Sequence, residues 1–127
     1  MTSLAEIGGM DAAALMTRVS TLPATATVGE LRAYFAESAS RKLAVLAEGK
    51  RFTGAIAADG LPDGADDSAP AADLAQREPT VRPDAPAERA RDLALADPTH
   101  RLPVVDGDGR LMGIVAIDRT LTRFCGT

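Results

Sequence analysis

Few residues of this sequence have the types and spacing that enzyme chemistry needs. His100 is the only histidine, and no Ser or Cys with an orienting acid lies near it in the sequence, so a catalytic triad is not indicated. Cys125 is the only cysteine, which excludes an internal disulfide, and its apolar neighbours are typical of a packed thiol rather than a nucleophile. We therefore predict no catalytic residues and a protein that is not an enzyme.

Acidic residues could attract a divalent cation at two places. The run Asp59, Asp63, Asp66 and Asp67 lacks the ligand spacing and the terminal Glu of an EF-hand loop, and its Gly and Pro neighbours are typical of a solvated linker. Residues 106–109, Asp-Gly-Asp-Gly, have the composition of a hairpin turn. The pattern predicts no metal site.

Composition and charge narrow the class of partner. The chain has 127 residues, is 46% hydrophobic and only 3% aromatic, so a core must be built from Ala, Val, Leu and Ile. A net charge of −4 does not favour nucleic acid. No apolar run approaches the roughly 20 residues that span a bilayer, and the first residues lack the pattern of a secretion signal. We expect a cytoplasmic protein that binds neither nucleic acid nor membrane.

An internal repeat organises the chain. A shift of 59 residues aligns Ala13–Leu61 with Ala72–Thr120 without a gap, and twelve of the 49 aligned pairs are identical. Alanine matches mean little in so Ala-rich a chain, but several less common residues also match in this one register. They include Arg18 with Arg77, Thr21 with Thr80, Gly54 with Gly113, and Asp59 with Asp118.

Both copies predict the same order of elements: strand, helix, strand, strand, helix. The first helix of copy one follows a capping box, Thr27 with Glu30, and that of copy two follows Pro86. Two apolar runs joined by a Gly-containing turn then predict a hairpin in each copy, at 43–57 and 102–117. A last helix is indicated clearly only in copy two, where Leu121, Phe124 and Cys125 share a face.

We therefore predict an α+β fold, a tandem duplication of a β-α-β-β-α unit with a pseudo-twofold relation between its copies. Copy one spans residues 11–62, a linker spans 63–71, and copy two spans 72–125. Because a unit of about 60 residues is only marginally stable alone, we expect the two copies to bury their sheets against each other.

Residues 101–115, Arg-Leu-Pro-Val-Val-Asp-Gly-Asp-Gly-Arg-Leu-Met-Gly-Ile-Val, resemble the second strand, turn and third strand of the CBS domain. Residues 15–18 resemble the lead-in to a first CBS copy, and residues 84–88 resemble the start of the first helix. The pair resembles a Bateman module over residues 11–125. This resemblance implies a regulatory protein that binds AMP, ADP, ATP or S-adenosylmethionine between the copies. It also implies a homodimer, acting on an effector protein that another chain supplies.

The family's ligand-binding pattern carries over only in part. In the family, the glycine of the third strand is followed three residues later by Ser or Thr and six residues later by an Asp that binds ribose. Counting from Gly54 and Gly113, these positions hold Ala57 and Gly60 in copy one, and Ala116 and Arg119 in copy two. Both hydroxyls and both ribose carboxylates are therefore missing from their expected places.

Asp59 and Asp118 stand one position too early to replace those carboxylates directly. One step along a helix turns a side chain by about 100°, so we interpret Asp118 as the cap of the last helix and Asp59 as a turn residue. Basic and hydroxyl side chains at the strand starts could still hold an anionic ligand. The predicted ligand-binding positions are Thr80, Val81, His100, Arg101, Pro103, Ala116, Asp118 and Arg119 in copy two, and Thr21, Lys42 and Asp59 in copy one.

Two functions follow from these residues. The first is a regulatory module that senses an adenine nucleotide or a related anionic ligand. The alternative is a degenerate, ligand-free pair that acts as a scaffold for dimerisation or protein docking. The missing ribose carboxylates favour the scaffold, whereas the paired basic residues at the strand starts favour the sensor.

Overall fold

A computed structural model describes residues 2–126 as a mixture of short helices and small sheets, which confirms the α+β class. Within these residues no helix is long and apolar enough to cross a membrane. The elements are helix α1 (Ala12–Leu15), strand β1 (Thr21–Pro23), helix α2 (Val28–Ala36), strands β2 (Leu43–Glu48) and β3 (Arg51–Ala57), helix α3 (Ala87–Ala96), and strands β4 (Arg101–Val105) and β5 (Leu111–Ala116). Short 3₁₀ turns lie at Ala58–Gly60 and Ala71–Asp73.

The chain forms two compact units. One, here called the central unit, is Ser20–Glu78; the other, the split unit, combines the residues up to Val19 with those from Pro79 onward. Each unit contains one of the two predicted hairpins and the helix before it.

The central unit is built on a three-stranded sheet in the order β1-β2-β3. Strand β1 runs parallel to β2, and β3 pairs with β2 in the antiparallel sense. The Thr27 hydroxyl accepts a hydrogen bond from the Glu30 backbone N–H and donates one to the Glu30 carboxylate, both at 3.3 Å, so the predicted cap starts α2. The core under this sheet is formed by Ala26, Leu31, Ala44, Leu46, Ile56 and Ala71.

The split unit pairs β4 with β5 in the antiparallel sense, and Val81 adds a short parallel bridge to Val104. Helix α3 follows Pro86, as the sequence predicts, and Asp97 is the residue after its last turn. Its buried face consists of alanines, which lets the helix approach the sheet closely. The larger residues of this core are Ile7, Leu15, Val81, Leu102, Val104, Val115, Ile117 and Phe124.

The lead-in segments are exchanged between the repeats. The Ala12 amide donates to the Ala85 carbonyl of copy two, and the Ala71 amide donates to the Ala26 carbonyl of copy one, both at 2.9 Å. Thr17 then pairs with Ile114. Residues 11–62 and 72–125 are thus repeats in sequence, whereas each compact unit takes its lead-in from the other repeat.

The repeated glycines of the third strands lie where these lead-ins cross. A Cβ at Gly113 would stand 2.7 Å from the Thr17 carbonyl oxygen, and one at Gly54 would stand 2.7 Å from the Cβ of Ala75. Such distances leave no space for a side chain. The match between Gly54 and Gly113 therefore reflects the same backbone crossing in each unit.

The prediction of a last helix after β5 is wrong. Residues 118–123 form a closed turn instead, in which Leu121 has a left-handed backbone with φ of 59°. After this turn the chain forms two antiparallel β-bridges within the split unit. Phe124 pairs with Ile117, and Arg123 pairs with Ser3. Phe124 is buried, as its apolar character indicates, but from an extended backbone.

Arg32 holds the segment after the 3₁₀ turn at Ala58–Gly60 in place. Its guanidinium pairs with the Asp67 carboxylate and donates to the Ala65 carbonyl at 2.8 Å. The Gly29 amide also donates to the Asp67 carbonyl, at 2.9 Å. The turn-rich segment between the repeats therefore packs on the start of α2.

Candidate functional site

One edge of the split unit's sheet gathers most of the predicted ligand-binding residues. Arg101 begins β4 and pairs with Ala116 at the end of β5, and Thr80 precedes Val81 at the start of a strand parallel to β4. Strand starts and the end of β5 therefore meet at this edge, here called the β5-end edge. The predicted residues at or beside it are Thr80, Val81, His100, Arg101, Pro103, Ala116, Asp118 and Arg119.

Three of these residues build the sheet rather than line a surface. Val81, Pro103 and Ala116 are buried. The Val81 amide donates to the Pro103 carbonyl at 3.0 Å, and the Ala116 carbonyl accepts from the Cys125 amide at 2.7 Å. Their backbone groups at these points are committed to the fold.

His100 is fixed by the end of helix α3. It has a left-handed backbone with φ of 53°, and its amide donates to the Asp97 carbonyl at 3.0 Å. Its Nδ1 lies 3.2 Å from the Ala94 carbonyl oxygen, so this nitrogen carries the proton in that contact. The imidazole is half-buried and leaves Nε2 as its remaining polar group.

The Arg101 guanidinium turns towards carbonyl groups of the backbone. Its Nη1 donates to the carbonyls of Thr99 at 3.1 Å and Ile117 at 3.2 Å. It forms no ion pair with any described residue. Arg101 thus links the start of β4 to the residue after β5, and no carboxylate of the described residues pairs with its guanidinium.

Asp118 directs its carboxylate into its own loop. Oδ1 accepts from the amides of Thr122 at 3.0 Å and Arg123 at 3.3 Å, and Oδ2 accepts from the Thr120 hydroxyl at 3.0 Å. The Thr122 N–H is the main cause that lowers the pKa of Asp118 below its usual range, and the Thr120 hydroxyl adds to it. Asp118 is a cap, as predicted, but of a turn rather than of a helix.

Arg119, the residue after Asp118, is exposed and forms no hydrogen bond or ion pair with the part of the chain that the structure describes. Its side chain is therefore free to meet a ligand. It occupies the position of the family's ribose carboxylate, but a guanidinium has donors only and cannot accept from ribose hydroxyls.

The three predicted residues of copy one lie at the equivalent edge of the central unit. Thr21 begins β1, Lys42 precedes β2, and Asp59 lies in the 3₁₀ turn after β3. All three side chains are exposed. Arg41, next to Lys42, is not available there, because its guanidinium pairs with Glu37 at 2.6 Å and stacks on the ring of Tyr34.

Two residues that position the β5-end edge were not predicted. Thr99 accepts from the Arg101 amide at 3.1 Å, and its own amide donates to the Asp97 carboxylate at 2.9 Å. The spacing Asp97-Pro98-Thr99 is a signal for such a turn, since Asp side chains commonly accept from the amide two residues later. Among residues 2–126, no three His, Cys, Asp or Glu side chains come together as metal ligands would.

Comparison with known proteins shows the same architecture elsewhere. Residues 71–122 match the family model of the CBS domain. The CBS-pair protein CBSX2 from Arabidopsis thaliana superposes with a TM-score of 0.71 at 20% identity, covering 84% of this chain and 87% of that protein. The structure of CBSX2 in complex with AMP gives a TM-score of 0.70 at 22% identity, over 85% of this chain and 90% of that one.

A third solved structure is the cytosolic domain of the Mg²⁺ channel MgtE in complex with ATP. It has a TM-score of 0.71 at 28% identity and covers 93% of this chain but 50% of that one. No curated protein matches the chain in sequence. Residues 71–122 thus match the CBS domain, and the chain has the fold of CBS-pair proteins.

Proposed function

We propose that this CBS pair is a regulatory module, not an enzyme, which binds an adenine nucleotide or a related anionic ligand at the β5-end edge. One observation carries the proposal. Arg101 and Arg119 stand at this edge without an ion pair to any described residue, while the carboxylate next to Arg119, that of Asp118, is engaged by its own loop. Unpaired guanidinium groups are strong phosphate ligands.

The available side chains favour phosphate over ribose. Asp118 already accepts three hydrogen bonds, and Arg119 has no acceptor, so neither is placed to take the two ribose hydroxyls. Affinity should therefore rise with phosphate count, in the order adenosine, AMP, ADP, ATP. S-adenosylmethionine, whose sulfonium is positively charged, should bind more weakly than ATP.

A ligand panel tests the proposal. A thermal-shift or calorimetric titration with these five compounds should show ATP as the best ligand, and a ligand at 100 times its dissociation constant adds about 2.7 kcal/mol of stability. Arg119→Asp supplies an acceptor for ribose and removes a group that binds phosphate. It should therefore strengthen the binding of adenosine and weaken the binding of ATP. Arg89→Asp, an exposed arginine of α3 in the same unit, is the matched control and should change neither affinity.

Failure of the panel would favour the second candidate, a ligand-free scaffold that dimerises or docks a protein partner. Exposed apolar side chains in the split unit support it, since Met112 is 47% and Leu121 is 43% exposed. We expect a homodimer in that case. Light scattering at micromolar concentration should detect it, and Met112→Lys should dissociate it if this side chain lies in the interface.

A further inference from the structure

The residues after β5 form a small closed loop. The Asp118 amide donates to the Arg123 carbonyl at 2.9 Å, and the Leu121 amide donates to the Asp118 carbonyl at 3.0 Å. Residues 118–123 are here called the Asp118 loop. Arg119 and Arg123, four residues apart in sequence, thus belong to one closed loop, as its second and its last residue.

Both threonine hydroxyls of the loop are already used as donors. The Thr120 hydroxyl donates to Asp118, so the Thr122 hydroxyl, 2.8 Å from that of Thr120, donates to Thr120 in turn. The Thr122 and Arg123 amides point at the Asp118 carboxylate. The exposed charged side chains of this loop are its two arginines, Arg119 and Arg123.

Three arginines lie in this loop or contact the residue before it. Arg119 and Arg123 are exposed, Arg101 contacts the Ile117 carbonyl directly before the loop, and none of the three forms an ion pair with the described residues. Other arginines, such as Arg32 and Arg110, are paired with carboxylates. Residues 118–123 contain two arginines and one aspartate, a net positive charge in a chain whose net charge is −4.

We propose that the Asp118 loop is a polyphosphate-binding loop that recognises a chain of phosphates independently of the base attached to it. This inference rests on the proposed function and names the part of the ligand that the loop binds. One phosphate group cannot contact three guanidinium groups as fully as a triphosphate can, because each guanidinium matches one pair of phosphate oxygens. The Asp118 carboxylate keeps the loop closed by accepting from the Thr122 and Arg123 amides.

Inorganic polyphosphates test the loop without the adenosine. Isothermal titration with phosphate, pyrophosphate and tripolyphosphate should give affinities that rise along the series, by about tenfold or more from the first to the last, and that weaken with added salt. Arg119→Gln and Arg123→Gln should each lower the affinity for tripolyphosphate about fivefold or more, because each removes one charged contact. Arg18→Gln and Arg89→Gln, which remove exposed arginines elsewhere in the same unit, are the controls.

The outcomes separate this inference from the proposed function. ATP binding without tripolyphosphate binding would overturn the loop's role and leave the nucleotide proposal standing. Equal weakening by the control and the loop variants would show non-specific attraction and would also overturn it. Binding of neither ATP nor tripolyphosphate would refute both proposals. Unchanged urea midpoints for the Gln variants establish that a loss of affinity is not a loss of fold.

Discussion

Replacing Gly113 by alanine tests how the exchanged lead-in packs on the third strand of the split unit. The new Cβ would stand 2.7 Å from the Thr17 carbonyl oxygen and 3.2 Å from Cγ and Sδ of Met16. The methionine can move, but the carbonyl is part of the backbone. That carbonyl also accepts from the Ile114 amide at 3.0 Å, and the Thr17 amide donates to the Ile114 carbonyl at 2.8 Å.

The cost has two parts. Overpacking in a closed site costs about 1–3 kcal/mol. Pushing the Thr17 backbone away weakens two hydrogen bonds, each of which contributes about 1 kcal/mol. Alanine regains about 0.5 kcal/mol by restricting the unfolded chain. The free energy of unfolding should therefore fall by about 2–4 kcal/mol.

Urea denaturation gives the total effect, and hydrogen exchange at the Thr17 and Ile114 amides gives the local one. Gly107→Ala is the matched control, because its Cβ would meet only the mobile guanidinium of Arg82, at 3.2 Å, and it should change stability by less than about 0.5 kcal/mol. If Gly113→Ala is as stable as this control and both amides stay protected, the close crossing of the lead-in does not exist.

Three further predictions concern the residues after β5. Leu121→Gly should stabilise the protein by up to about 1 kcal/mol in urea, and Leu121→Val should destabilise it, because the backbone at 121 is left-handed; the reverse order would contradict that geometry. Phe124→Ala should cost about 3–5 kcal/mol and expose the Leu4 amide to exchange, since Phe124 is buried where residues 2–4 pair with this segment; a protected Leu4 amide would refute the coupling. The pKa of Asp118 is lowered by the Thr122 N–H, so its stabilising effect is complete above its unfolded pKa of about 3.9 and is lost as the pH falls through its folded pKa. Asp118→Asn should therefore flatten the loss of stability below about pH 4, and an unchanged pH profile would count against the cap.

Much of the fold could be predicted because local signals agreed with the repeat. Thr27 with Glu30, Pro86, and the apolar runs of the hairpins specify their elements from neighbouring residues alone. The repeat aligned Gly54 with Gly113, but it did not predict that a second backbone segment crosses at these glycines. Its partner could not be predicted, because both lead-ins have the same apolar pattern and either unit could have accepted either one.

The last helix was mispredicted because two kinds of signal compete there. Leu121, Phe124 and Cys125 have helical spacing, but Asp118 accepts from the amides of Thr122 and Arg123 and closes a turn. Asp favours such local bonds, and no periodicity analysis weighs them. The same local bonds determine which groups of the candidate site are available to a ligand. The sequence alone does not show that the carboxylate of Asp118 is already used.

An ATP titration followed by backbone amide NMR tests the central claim most directly, because it reports binding and location together. We expect saturable shifts at Thr80, Arg101, Ala116 and Arg119 that extend through Arg123, with much smaller shifts for adenosine at equal concentration. No shifts at millimolar ATP, or shifts confined to residues away from the β5-end edge, would contradict it.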